Sequence, residues 1–173
     1  MPGQRRSSRA GTMGLITLVL GGVASGKSAF AESLLSSSDG PVTYYATLDP
    51  GLEDVEERIR RHRGRRPEDW RTVECGADLS VLLARDSGRA LVDSLGSWIL
   101  HFPDFAADET GLVAALRSRR DPVVMVSEET GLAPLAPTVL GIAFQEALGR
   151  VNQAVASVSN RVCLVVAGRV VEL

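Results

Sequence analysis

Gly21, Gly22, Val23, Ala24, Ser25, Gly26, Lys27 and Ser28 spell G-x-x-x-x-G-K-S. Small residues at this spacing let successive backbone N–H groups turn inward on an anion, and the start of a helix adds its dipole to the attraction. Lys27 then reaches the outer phosphates of a nucleoside triphosphate, and Ser28 offers a hydroxyl to the Mg²⁺ that bridges the β and γ oxygens. A glycine-rich turn can match this pattern by chance. An apolar β-rich run before it, Leu15 to Leu20, and helix-forming residues after it, Lys27 to Leu35, supply the context that a chance match lacks.

A second acidic group belongs at the end of a neighbouring strand, and Asp93 closes the run Ala90, Leu91, Val92 in that way. A carboxylate there can hold Mg²⁺ through water, or pair with the N1–H and amino group of a guanine. The same aspartate could instead simply cap a helix starting at Ser94, because Asp is a preferred N-cap.

His62 is one of two histidines and lies among Arg58, Arg60, Arg61, Arg63, Arg65 and Arg66. Guanidinium forks, those of Arg61 and Arg63 included, bind phosphate oxygens bidentately and stay charged. Positive neighbours also disfavour imidazolium, which leaves His62 a free lone pair able to attack phosphorus. A purely structural account stands beside this one. Glu53, Asp54, Glu56 and Glu57 precede the arginines, so the segment also suits a helix whose charges complement its dipole and pair at i,i+4. His101, at the end of an apolar helix, reads as packing or capping.

Elements must hold these groups together. Val42 to Ala46, Arg71 to Cys75, Ala90 to Asp93, Val123 to Ser127 and Val162 to Ala167 read as further strands. Helical stretches alternate with them near Leu52 to Arg63, Leu79 to Ala84, Ser94 to Phe102, Leu112 to Ser118 and Thr138 to Ser157. Alternation of this kind predicts an α/β fold with a mostly parallel sheet, helices on both faces, and a ligand beyond the carboxyl ends of the strands. Gly168 and Arg169 read as the two-residue turn of a C-terminal antiparallel hairpin at the sheet edge.

Composition bounds the rest. A chain of 173 residues, 45% hydrophobic, can bury the core of one domain, expected over residues 14–173 after a disordered tail at 1–13. Met13 is an alternative start. The net charge of -2 lacks the basic excess of a general nucleic-acid binder. Cys75 and Cys163 form neither a disulfide framework nor a zinc pattern, which points to the cytoplasm. No apolar stretch is long enough for a membrane span, and residues 1–13 lack the apolar region of a secretory signal.

Taken together, LVLGGVASGKSAFAE, YYATLDP, RIRRHRGRRPEDWRTVE, LVDSLGSW, VSEETGLAP and GRVNQ give a chain that resembles the bifunctional adenosylcobinamide kinase and adenosylcobinamide-phosphate guanylyltransferase family of cobalamin biosynthesis. The first motif is generic; RHRGRRPEDWRTVE with GRVNQ is specific. The resemblance covers nearly everything after Met13. It implies a RecA-like P-loop NTPase fold, a homotrimer, and two reactions. ATP or GTP, with Mg²⁺, phosphorylates the aminopropanol hydroxyl of adenosylcobinamide. GTP then passes its GMP through a histidine to adenosylcobinamide phosphate, giving adenosylcobinamide-GDP. His62 falls on the guanylylated histidine, so His62 and Lys27 are the catalytic candidates. Glu129 matches an acidic position of the family, with metal, base and loop-forming roles all open.

The chain departs from its relatives in places. Arg61 stands where many have a second histidine, Gly96 and His101 replace Thr and Asn, and Pro103 to Asp121 is shorter. Two other functions fit the phosphate loop: a small-molecule kinase in which His62 is dispensable, and a regulatory module that binds GTP without transferring it. The second lacks an N-K-x-D-like motif for reading guanine.

Overall fold

The computed structural model describes residues 16–36, 40–49, 67 and 69–173. The tail at 1–13 and the segment around His62, with Arg61 and Arg63, lie outside the described residues.

The first strand, β1 (Ile16–Gly21), leads through the phosphate loop into helix α1 (Lys27–Ser36) and strand β2 (Val42–Ala46). Strand β3 (Arg71–Glu74), helix α2 (Leu79–Arg85), strand β4 (Arg89–Asp93) and the short helix α3 (Leu95–Ile99) follow. Helix α4 (Glu109–Ser118), strand β5 (Val123–Glu128), helix α5 (Val139–Ala156) and strands β6 (Arg161–Val166) and β7 (Arg169–Glu172) complete the described chain. The strands form one sheet in the order β3-β2-β4-β5-β1-β6-β7, parallel except for the β6–β7 hairpin. The alternating architecture read from the sequence is the one observed.

β1 sits between β5 and β6. A strand covered on both faces needs a nearly continuous apolar run rather than every second residue, and ITLVLG supplies one, with Thr17 its one polar and half-buried member. Side-chain alternation divides the core accordingly. Leu18 and Leu20 of β1, Val92 of β4 and Met125 of β5 face helices α2 to α5, where Leu83, Trp98, Leu116 and Leu148 meet them. Val19, Leu91, Val124 and Val126 face α1 and pack on Ala31 and Leu35, with Tyr44 and Trp70 beside them. The same alternation assigns Asp93 and Glu128, two residues beyond Leu91 and Val126, to the α1 side at the carboxyl edge.

Several boundaries differ from expectation, three of them for a clear local reason. The helix read over Ser94 to Phe102 is regular only from Leu95 to Ile99. Pro103 disfavours a helical Phe102, which is extended at φ −111° and ψ 138°. The helix read from Leu112 starts at Glu109, because Asp108 accepts a hydrogen bond from the Gly111 N–H at 2.8 Å and caps it. The hairpin turns on Ala167 and Gly168, one residue earlier than Gly168 and Arg169. Both have positive φ, 49° and 73°, as a type I′ turn requires, and Val166 pairs with Arg169.

Candidate nucleotide site

The phosphate loop is shaped by contacts that its small residues permit. Gly26 has φ +95°, accessible to glycine at no steric cost. A Cβ on Gly21 would lie 2.5 Å from Ser25 Oγ and 2.8 Å from Val165 O, so the loop closes against β6 only because that atom is missing. The Ser25 N–H donates to Gly22 O at 3.3 Å, and the Gly168 N–H donates to Ser25 O at 2.8 Å. The C-terminal hairpin turn therefore props the outside of the phosphate loop.

Lys27 is buried and its ammonium donates to Gly22 O at 3.3 Å, inside its own loop. Ser28 follows it, half-buried in the first turn of α1. The loop thus gathers an ammonium, a hydroxyl and a helix N-terminus on one side of the sheet edge, the equipment for holding a polyphosphate.

Asp93 ends β4 and is buried. Its Oδ2 accepts a hydrogen bond from the Tyr44 hydroxyl at 2.9 Å. Tyr44 is paired with Leu91 on the adjacent strand, so Tyr44 and Asp93 are diagonal neighbours on one face. The helix cap is Ser94 instead, whose hydroxyl accepts from the Ser97 N–H. Asp93 therefore does not serve as that cap. One strand, β5, separates β4 from β1, which puts Asp93 roughly 10 Å across the sheet from the end of β1 at ordinary strand spacing.

Between them stands a carboxylate that the sequence reading passed over. Glu128 is the last residue of β5, in register with Gly21. Its Oε1 lies 3.7 Å from Lys27 Nζ. The Ser94 hydroxyl is 2.9 and 3.0 Å from its two oxygens. Asn152, from the GRVNQ motif, donates to the Glu128 carbonyl at 3.1 Å and pins the strand end to α5. Glu129 is used differently: its Oε1 accepts from the Gly131 N–H at 2.6 Å, while its own N–H bonds Gly21 O. Its carboxylate thus folds the loop after β5. The missed signal was alternation: Val124 and Val126 share a face, and the strand runs one residue further than Ser127.

The loop leaving β2 is fastened to the same edge. Thr47 Oγ1 accepts from the Ser94 N–H and donates to the Ser94 carbonyl, both at 2.7 Å. His101 Nε2 is 2.6 Å from Thr47 O, so this histidine ties the turn after α3 to β2. Cys75, just after β3, donates its thiol to Ala46 O at 3.3 Å, and burial pushes its pKa up to about 12. It is a buried structural thiol rather than a nucleophile.

A G-x-x-x-x-G-K-S loop between a central parallel strand and its helix, with a buried aspartate at the end of a nearby strand, defines a P-loop nucleotide-binding α/β protein. Which branch of that class it belongs to follows from comparison with known proteins. Residues 17–173 match the model of the cobinamide kinase / cobinamide phosphate guanyltransferase family, and the chain belongs to that family. The bifunctional adenosylcobalamin biosynthesis protein CobP of Pseudomonas aeruginosa is 34% identical over 160 residues, spanning 87% of this chain and 92% of the relative. The corresponding CobU proteins of Escherichia coli and Salmonella typhimurium are 32% and 31% identical, each over 89% of this chain and 97% of the relative. Among the described residues no helix is long and apolar enough to cross a membrane.

Proposed function

We propose that this chain phosphorylates adenosylcobinamide and then moves GMP from GTP, by way of His62, onto adenosylcobinamide phosphate to give adenosylcobinamide-GDP. The observation that carries the reading is a phosphate loop with Lys27 inside it, in a chain matched by the family model over residues 17–173.

In the first reaction the acceptor hydroxyl oxygen bonds to the γ-phosphorus, the bond to the leaving nucleoside diphosphate breaks, and the hydroxyl proton departs. Lys27, the backbone N–H groups of Gly21 to Ser28 and the start of α1 hold the phosphates while charge shifts toward the leaving group. In the second, the neutral imidazole of His62 attacks the α-phosphorus of GTP and pyrophosphate leaves. A phosphate oxygen of adenosylcobinamide phosphate then displaces the histidine. Dividing one displacement into two replaces a hard step with two easier ones. Arg61 and Arg63 supply the positive charge that the leaving pyrophosphate needs.

Mg²⁺ suits the donors at the edge. The Ser28 hydroxyl and the Asp93 carboxylate are hard oxygen ligands, and Mg²⁺ sites commonly combine one or two carboxylates with substrate phosphates and water. When bound, it neutralises charge on the transferring phosphates. Asp93 is equally suited, by its buried acceptor, to reading a guanine N1–H and amino group. The phosphoryl donor is ATP or GTP, and the assembly a cytoplasmic homotrimer.

The test is turnover. Purified protein with Mg²⁺, GTP and adenosylcobinamide should yield adenosylcobinamide phosphate and then adenosylcobinamide-GDP by mass spectrometry. Phosphorylated corrinoid without the GDP product would reduce the chain to a simple kinase, and GTP binding with no product would leave a regulatory module.

A further inference from the structure

In its observed rotamer the Glu128 carboxylate occupies space next to Gly96 that a side chain at position 96 would contest. A Cβ on Gly96 would lie 2.1 Å from Glu128 Oε2 and 3.0 Å from its Cδ, so any side chain there would make the carboxylate turn out of this position. Gly96 is buried in α3, two residues past the Ser94 cap that holds the same carboxylate. The bare α-carbon of Gly96 thus leaves open the carboxylate position that puts an acid group 3.7 Å from the phosphate-loop ammonium.

A carboxylate in that position is a liability for binding alone. Lys27 is the group that meets the β- and γ-phosphates, and a negative charge beside it repels the polyphosphate it attracts. Nor does the ammonium depend on Glu128 for a partner, since it donates to Gly22 O. The Ser94 hydroxyl has one proton to give, so the two Glu128 oxygens keep further lone pairs, and the side chain stays 18% exposed at the open edge of the sheet. With a nucleotide bound through Lys27, this carboxylate would stand on the side of the γ-phosphate from which an acceptor alcohol could arrive.

We propose that Glu128 is a catalytic residue of the phosphoryl-transfer half-reaction, accepting the proton of the acceptor hydroxyl, and that Gly96 is the positioning residue that makes room for it. The acceptor oxygen forms its bond to the γ-phosphorus, the bond between that phosphorus and the nucleoside diphosphate breaks with its electron pair on the leaving oxygen, and the hydroxyl proton passes to a Glu128 oxygen. Ser94 orients the carboxylate by its hydrogen bond. The assignment rests on the kinase activity proposed above.

Three measurements on Glu128→Gln, Gly96→Ala and the double variant separate the possibilities: corrinoid phosphorylation, the Kd of a non-hydrolysable GTP analogue, and label on the chain from GTP carrying radioactive α-phosphate. General-base removal predicts that Glu128→Gln lowers kcat for phosphorylation by roughly 10²–10⁴-fold. Analogue binding should be unchanged or tighter, and chain labelling retained. Gly96→Ala should lower the same kcat by displacing the carboxylate, and add nothing to Glu128→Gln, the mark of two residues acting through one group. Its small side chain keeps the test open if Glu128→Gln folds poorly. Full kcat in Glu128→Gln, or parallel loss of analogue binding and labelling, overturns the role while leaving the proposed function standing. A wild-type protein that labels from GTP yet never phosphorylates the corrinoid overturns both the kinase reading and this assignment.

Discussion

Two adjacent glycines of the phosphate loop should respond oppositely to the same methyl group. In Gly21→Ala the new Cβ falls 2.5 Å from Ser25 Oγ and 2.8 Å from Val165 O, against about 3.5 Å or more for an unstrained contact. The serine hydroxyl can rotate, at the cost of the 3.3 Å bond it accepts from the Lys27 N–H. Val165 O is backbone of β6, in register with Gly21, and moves only if β1 and β6 separate. Overpacking of this kind costs about 1–3 kcal/mol. With a urea m-value of about 2 kcal/mol/M, the midpoint should fall by roughly 0.5–1.5 M. Loss of one well-aimed N–H contact to a phosphate adds about 1.5–3 kcal/mol to binding, so GTP should bind about 10–150-fold more weakly. Gly22→Ala meets nothing within 4 Å and should leave the urea midpoint unchanged or slightly higher. Urea titrations followed by circular dichroism, with calorimetric GTP titrations, check both. Equal midpoints for the two variants would refute the close-approach account of Gly21.

Asp93→Asn keeps an oxygen for the Tyr44 hydroxyl but loses the charge, so stability should change by less than about 1 kcal/mol while Mg²⁺-dependent turnover falls by roughly 10²-fold or more; denaturation and kinetics on one preparation test this. Cys75 and Cys163 are both buried, with thiols pushed up by burial, so iodoacetamide at pH 8 should label neither in the native protein and both in urea, as mass spectrometry will show. Folding raises Cys75 from 9.0 to about 12 and, through burial and then the Asp86 hydrogen bond, Tyr45 from 10.0 to about 12. Each raised pKa contributes stability that is complete below the unfolded value and disappears as pH rises through the folded one. Stability should therefore decline between about pH 9 and 12, and Tyr45→Phe should shrink that decline in urea titrations at pH 8 and pH 11.

The sequence carried the architecture because strand and helix alternated with continuous apolar runs, and β2 appears over the residues expected. Asp93 was legible as a strand-terminal carboxylate, but setting aside the cap role required seeing Ser94 take the cap. The hairpin turn slipped by one residue because Ala167, unlike Gly168, gives no warning of a positive φ. The helix expected near Leu112 starts earlier, at a cap that only the Gly111 N–H bond to Asp108 reveals. Glu128 was the least legible. Its place beside Lys27, Ser94 and Gly96 is set by contacts between elements that no local pattern encodes. His62, Arg61 and Arg63 lie outside the described residues, so their case rests on charge, chemistry and resemblance.

The most direct measurement is covalent. The protein is incubated with Mg²⁺ and GTP labelled at the α-phosphate, denatured, and examined for label on the chain, with His62→Ala in parallel. A guanylylated histidine predicts acid-labile label on the wild type and none on the variant. Equal labelling of both would place the intermediate on another residue, and no label on active, GTP-binding protein would contradict the covalent route altogether.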